Sequence, residues 1–193
     1  MASLALGATV TLSTFAAEGA SSRTFADAAL GVGVTSGTHS FSTTTNLGHT
    51  SYWSEGVTGP VVSTTLMAGE AWSRFAVGVG IDAALTVESA VLLSGSAVAI
   101  LHSGKSGVYG ALFAGYGWAD LAGPSIGMGV PPEYVVAGTG SESKQGPRFA
   151  LRAGYRWPSM FGIATTASYS YLIGGDSKYE PIMVVIQATW SWW

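Results

Sequence analysis

The chain contains no cysteine and only three histidines, and charged side chains make up 10% of its 193 residues. The missing cysteines exclude disulfide staples and thiolate metal sites, and fit an oxidising compartment where no disulfide is needed. The charge content falls well short of the roughly 25% typical of soluble domains. A formal net charge of −3 with no basic run gives nucleic acid nothing to hold, so no such partner is expected. Long hydrophobic runs are missing as well. A spanning helix needs about 18 uninterrupted apolar residues. The best stretch, Val87–Leu101, is shorter and is broken by Ser89, Ser94, Gly95 and Ser96. The overall hydropathy is nevertheless positive. Backbone polar groups in lipid must be paired internally, so an apolar chain without helical spans points to a closed β-barrel.

What is present supports strands. The 27 glycines and the many Thr, Val and Tyr suit strands and tight turns better than helices. Residues 182–192 put Ile182, Val184, Ile186, Ala188, Trp190 and Trp192 on one face, with Gln187, Thr189 and Ser191 opposite. Apolar-out alternation over about ten residues, closed by aromatics, is the pattern of a membrane-spanning β-strand. It recurs. Residues 24–34 turn Ala28, Leu30, Val32 and Val34 outward and Asp27, Gly31 and Gly33 inward. Residues 74–85 turn Phe75, Val77, Val79, Ile81, Ala83 and Leu85 outward and Gly78, Gly80 and Asp82 inward. Residues 106–118 offer Val108, Leu112, Ala114, Tyr116 and Trp118. Residues 148–157 place Phe149, Leu151, Ala153, Tyr155 and Trp157 against Arg148, Arg152 and Arg156. Residues 162–172 place Ile163, Thr165, Ala167, Tyr169 and Tyr171 outward. Residues 3–13 alternate too, 39–47 do so weakly, and 90–101 are apolar on both faces with Ser94 and Ser96 assigned inward. Residues 61–72 favour neither face.

The count is about ten strands, with eight as the alternative; both are even, as single-chain bacterial barrels require. Connections near Ser36–Thr38, Ala71–Ser73, His102–Lys105 and Pro158–Phe161 read as short. Those at Thr14–Arg23, Gly48–Pro60, Asp120–Pro147 and Gly174–Pro181 read as long, and Thr86–Ser89 is short where a long one is due. Aromatics fall at the strand ends. Trp72, Phe75, Trp157, Trp190 and Trp192 are assigned to one membrane interface, and Tyr116, Trp118, Tyr169 and Tyr171 to the other, because amphipathic rings prefer headgroup depth.

These features together make residues 1–193 resemble the small outer-membrane β-barrel proteins of Gram-negative bacteria. The resemblance is architectural, spans the whole chain as one domain, and rests on no family motif. One departure concerns the terminal aromatic. Trp192 shares a face with the preceding apolar residues and Trp193 does not. The resemblance implies an all-β, closed antiparallel transmembrane barrel in the bacterial outer membrane, with short periplasmic turns, longer extracellular loops and both termini periplasmic. Met1–Ala20 is apolar, with small residues at Ala16, Ala17 and Ala20 but no basic leading region. The chain is therefore expected as a mature form whose precursor carries a secretory signal.

Residues i, i+2 and i+4 of a strand point the same way, so Arg148, Arg152 and Arg156 are expected inside the barrel, facing Asp27 and Asp82. Such a cluster is either a charged constriction that selects solutes or a salt-bridge network that plugs the lumen. The function expected first is a passive narrow channel for small solutes or ions. The alternative is a non-conducting barrel that presents loops or joins a larger outer-membrane assembly. The bilayer is the expected partner, with a protein partner conceivable at loop 120–147, whose half Leu121–Val136 is apolar for an exposed segment. His39, His49 and His102 match no catalytic arrangement of the class, so no enzyme is expected. No metal cluster is expected, loop carboxylates Asp176 and Glu180 offering at most weak cation binding. Gly31-Val-Gly33 and Gly127-Met-Gly129 lack the strand–helix context of nucleotide loops, so no cofactor is expected.

Overall fold

The computed structural model describes residues 22–44, 50–86, 91–121, 142–175 and 177–192. Strand segments follow one another along the chain: β1 (Arg23–Thr44), β2 (Thr50–Ala71), β3 (Phe75–Thr86), β4 (Val91–His102), β5 (Gly107–Leu121), β6 (Glu142–Arg156), β7 (Phe161–Ser170), β8 (Leu172–Gly174) and β9 (Ser177–Trp192). From β1 to β7 each pairs antiparallel with the next, β7 pairs with β9, and β8 continues β7 against both β6 and β9. The sheet closes where β1 meets β9, from Ala26↔Trp192 to Ser40↔Lys178. The result is an all-β, closed antiparallel barrel of eight strands, the smaller of the two counts read from the sequence.

The break between β7 and β8 has a local cause. Opposite Tyr171 stands Pro147, which has no N–H to give the ladder. The Tyr171 amide still donates to the Pro147 carbonyl at 3.0 Å. At the neighbouring Gly146 a Cβ would lie 1.9 Å from the Tyr171 carbonyl oxygen, so only glycine permits this approach.

Alternation sorts the side chains as lipid and interior demand. Val32, Val79 and Ile81 are 61–69% exposed on the outer surface, while the barrel encloses Phe113, Ile100 and Tyr109. Two apolar clusters fill the interior. One, around Phe25, Met67, Ile100 and Phe113, lies toward the end that holds Arg23 and Trp192. The other, around Val61, Leu92, Leu172 and Met183, lies toward the opposite end. In residues 61–72 the inward Val61 and Met67 belong to these clusters, and Val62 and Leu66 face outward. Both faces mix apolar and polar residues there, Ser63 and Thr65 inward and Thr64 and Glu70 outward, which is why the sequence alone favours neither.

Several expected boundaries differ. The strand read at 3–13 lies outside the described residues. Of the weak strand read at 39–47, residues 39–44 are the upper part of β1 and 45–47 lie outside the described residues, and Ser36–Thr38 is no turn but mid-strand, paired to Gly56–Thr58. Residues 50–60, read as loop, belong to β2. These stretches are polar and rich in Ser and Thr. Their strand pairing comes from each other, so they need no apolar alternation, and a pattern tuned to lipid misses them. Ser177–Pro181, also read as loop, opens β9, and the preceding turn has Gly175 at φ 54°, a conformation suited to glycine. Within 120–147, Asp120–Leu121 and Glu142–Pro147 are strand, and 122–141 lie outside the described residues.

Candidate functional site

Arg148, Arg152 and Arg156 are spaced four apart on β6 and all point into the barrel. Asp82 on β3 meets Arg148 at 2.6 Å, and the same guanidinium donates to Ser94 on β4 at 2.7 Å. Asp82 also accepts from Thr65 at 2.6 Å. Arg152 lies 3.5 Å from Asp27 on β1, a charge contact rather than a hydrogen bond, with both side chains fully enclosed. Its other groups donate to Thr166 at 3.0 Å and Thr65 at 2.9 Å, and its guanidinium sits 5.0 Å over the Phe113 ring. Asp27 accepts a hydrogen bond from Ser191. Arg156 sits 5.0 Å over the Tyr109 ring. Gln187 on β9 links the layer by accepting from Thr166 at 2.6 Å.

The five charged residues named from the sequence are thus brought together in one interior. What the sequence did not single out is the uncharged frame: Thr65, Ser94, Thr166, Gln187 and Ser191, with the rings of Phe113 and Tyr109. For all but Thr65, whose stretch favours neither face, the signal was the inward phase of each strand, but phase alone does not say which inward hydroxyl meets which charge. Lys144, read as a loop residue, is also fully buried, on β6, and donates to Ser177.

A guanidinium in low dielectric is tolerated when paired and hydrogen-bonded. Here two carboxylates, three hydroxyls and two ring faces provide that. Arg152 and Arg156 lie among the lower apolar cluster, over Phe113 and Tyr109, and Arg148 lies beside Leu92, Leu172 and Met183 of the upper one. Cavities of about 10 and 20 Å³ adjoin Asp82 and Arg148, room for roughly one water each.

Outside, the aromatics gather in two bands. Trp72 stacks on Phe75 at 6.2 Å, Tyr155 meets Trp157 at 5.6 Å and Phe161 meets Trp190 at 6.0 Å, all near the end with the short turns 72–74, 103–106 and 157–160. Trp192 is exposed at the same end. Tyr116 and Trp118 pair at 5.4 Å near the other end, where Tyr169 donates to Glu180 at 3.1 Å and Tyr171 interrupts the β7–β8 run. Val108 to Trp118 is about ten residues, some 34 Å of strand. Tilted by about 45°, that matches an apolar band about 25 Å tall.

The histidines take structural positions. His39 is buried edge-on to Tyr179 at 6.2 Å, and His102 contacts the Gly104 carbonyl at 3.1 Å in a turn. His49 and Asp176 lie outside the described residues. Glu180 pairs with Lys178 at 2.8 Å. Among the described residues no three His, Asp or Glu converge as metal ligands.

A closed eight-stranded barrel with an apolar belt, two aromatic bands and a packed polar interior defines a small β-barrel of the bacterial outer-membrane type. Among solved structures, the fold is similar to that of the Neisserial surface protein A, at 14% identity over 90% of this chain and 99% of that one, TM-score 0.49. It is also similar to Ail, the attachment invasion locus protein of Yersinia pestis, at 15% identity over 85% and 98%, TM-score 0.39. A second Ail structure, in complex with the heparin analogue sucrose octasulfate, matches at TM-score 0.38. No protein-family model matches the chain, and no curated protein shows significant similarity to it.

Proposed function

We propose that the protein is a non-conducting outer-membrane barrel that anchors surface-exposed elements, rather than a narrow channel. The observation that carries this reading is the filled interior. The Arg148–Asp82 and Arg152–Asp27 contacts are closed above and below by apolar side chains, and the cavities beside them hold about one water each. A conducting path needs continuous hydrated space, and eight strands leave an interior that side chains can fill. The reading places the short turns and both termini in the periplasm and the long connections outside, following the asymmetry of such barrels. The presented element is the upper part of the β1–β2 hairpin. A protein partner for loop 120–147 would suit the apolar composition of Leu121–Val136. The reading assigns the chain no catalysis and no cofactor.

The test is conductance of the purified barrel in a planar bilayer. The wild type should insert and stay electrically silent. Steady unitary steps, with a reversal potential in a salt gradient that moves on Arg152→Glu substitution, would restore the channel reading.

A further inference from the structure

The outward face of β1 changes character within one residue pair. Leu30, Val32 and Val34 are exposed and apolar, as the lipid belt requires. The next outward positions are Ser36, Thr38, Ser40 and Ser42, and across the ladder from them stand Thr58, Gly56, Ser54 and Tyr52. From Val34 upward these two strands offer outward neither an aliphatic side chain nor a charge. The hydroxyls are ordered by the sheet. Ser36 and Thr58 lie 3.3 Å apart, and Ser40 donates to Ser54 at 3.4 Å. Strand geometry spaces them at roughly 7 Å along each strand and about 4.8 Å across. Tyr52, 85% exposed, adds a ring to this face. The Lys178–Glu180 pair on β9 flanks it, opposite Ser40 and Thr38.

We propose that this hydroxyl face of the β1–β2 hairpin is a docking surface for the sugar headgroups of the glycolipid that surrounds the barrel in the outer leaflet. The inference rests on the outer-membrane placement made above. The occupant follows from continuity. The face is the upward extension of the lipid-facing surface and looks sideways, so what lies against it is whatever sits on top of the neighbouring acyl chains. Chemistry agrees. Each hydroxyl both donates and accepts, which matches a polyol better than a peptide or a single-sign ion. The negative face of an exposed tyrosine ring suits the polarised C–H face of a pyranose. The step from aliphatic to hydroxylated residues marks the level at which acyl chain gives way to sugar.

The experiment reconstitutes the full chain in nanodiscs of two kinds, one with lipid A alone and one with lipopolysaccharide bearing its core oligosaccharide, and reads the melting temperature. The wild type should melt a few degrees higher in the sugar-bearing discs. The variant Ser36→Ala/Thr38→Ala/Ser40→Ala/Tyr52→Ala should lose that difference. Any general weakening of the hairpin cancels, because each protein is compared with itself across the two discs. The gain should persist at raised salt, since the face is uncharged. The proposal is overturned if the wild type shows no gain, if the variant keeps it, or if salt abolishes it, which would assign it to lipid phosphates. It is equally overturned if soluble core oligosaccharide restores the whole gain in lipid A discs, or if the gain follows barrel density instead of sugar, as for a second copy. Failure to insert into either disc would sink the membrane placement along with it. A conducting wild type would refute the plugged-barrel reading and leave this comparison intact.

Discussion

Arg152 touches four neighbouring strands: Asp27 from β1, Thr65 from β2, Thr166 from β7 and the Phe113 ring from β5. Truncating it to alanine leaves the enclosed Asp27 carboxylate with Ser191 but without its Arg152 partner. Breaking a buried pair from one side costs about 3–5 kcal/mol. We therefore expect Arg152→Ala to lower the urea midpoint of the refolded barrel by an amount of that order. The double variant Arg152→Met/Asp27→Leu, which removes both charges and keeps the volume, should recover most of the loss. Equal midpoints for Arg152→Ala and wild type would mean that the pair contributes nothing to folding.

At the scale of a strand, β3 gives the sharpest test of which face is which. Val79 is 69% exposed in the lipid belt, and an arginine there costs about 2–4 kcal/mol at the bilayer midplane. Gly78 and Gly80 both point inward, yet they are not equivalent. A Cβ at Gly78 would lie 2.2 Å from the Ala68 carbonyl oxygen, which is backbone and cannot yield cheaply. A Cβ at Gly80 first meets the Val98 side chain at 3.2 Å, which can shift. Heat-modifiable gel mobility should rank folding yield as Gly80→Ser close to wild type, with Gly78→Ser and Val79→Arg both impaired. A Gly80→Ser variant as damaged as Val79→Arg would overturn the face assignment. This strand also marks what could be read beforehand. Where one face meets lipid and the other a mixed interior, as in β3, β6 and β9, alternation in the sequence carries the register. Where both faces mix apolar and polar residues, as in β2 below Pro60, or are rich in Ser and Thr, as in the hairpin above it, the period vanishes. Pairing is then fixed by the partner strand, which one strand's own period does not reveal. The charged pairs follow the same logic. The inward phase was readable for each aspartate and arginine, but the choice of Asp82 for Arg148 and Asp27 for Arg152 depends on strand order and stagger, which one strand's pattern does not contain.

Across the whole molecule, closure and display are separable. The β1–β9 seam runs up to Ser40↔Lys178, and the β2–β3 pairing reaches only Val61↔Thr86. Above those levels β1 and β2 pair with each other to Thr44↔Thr50. Pro60, with no N–H to offer, stands where the pairing with β3 ends. The hairpin tip therefore adds little to the closed ring of hydrogen bonds that lipid demands. The charged layer and the lower apolar cluster lie below it. Replacing residues 42–52 by a two-residue Asn-Gly turn keeps a register suited to a tight hairpin. It should leave barrel formation, heat-modifiable mobility and β-dominated circular dichroism in detergent unchanged, and the bilayer should stay electrically silent. The same deletion removes Tyr52 and Ser42 from the hydroxyl face, so the melting gain in sugar-bearing discs should shrink. If the shortened chain fails to fold in detergent, the hairpin is part of the barrel's folding unit, and its role as a separately displayed element is refuted.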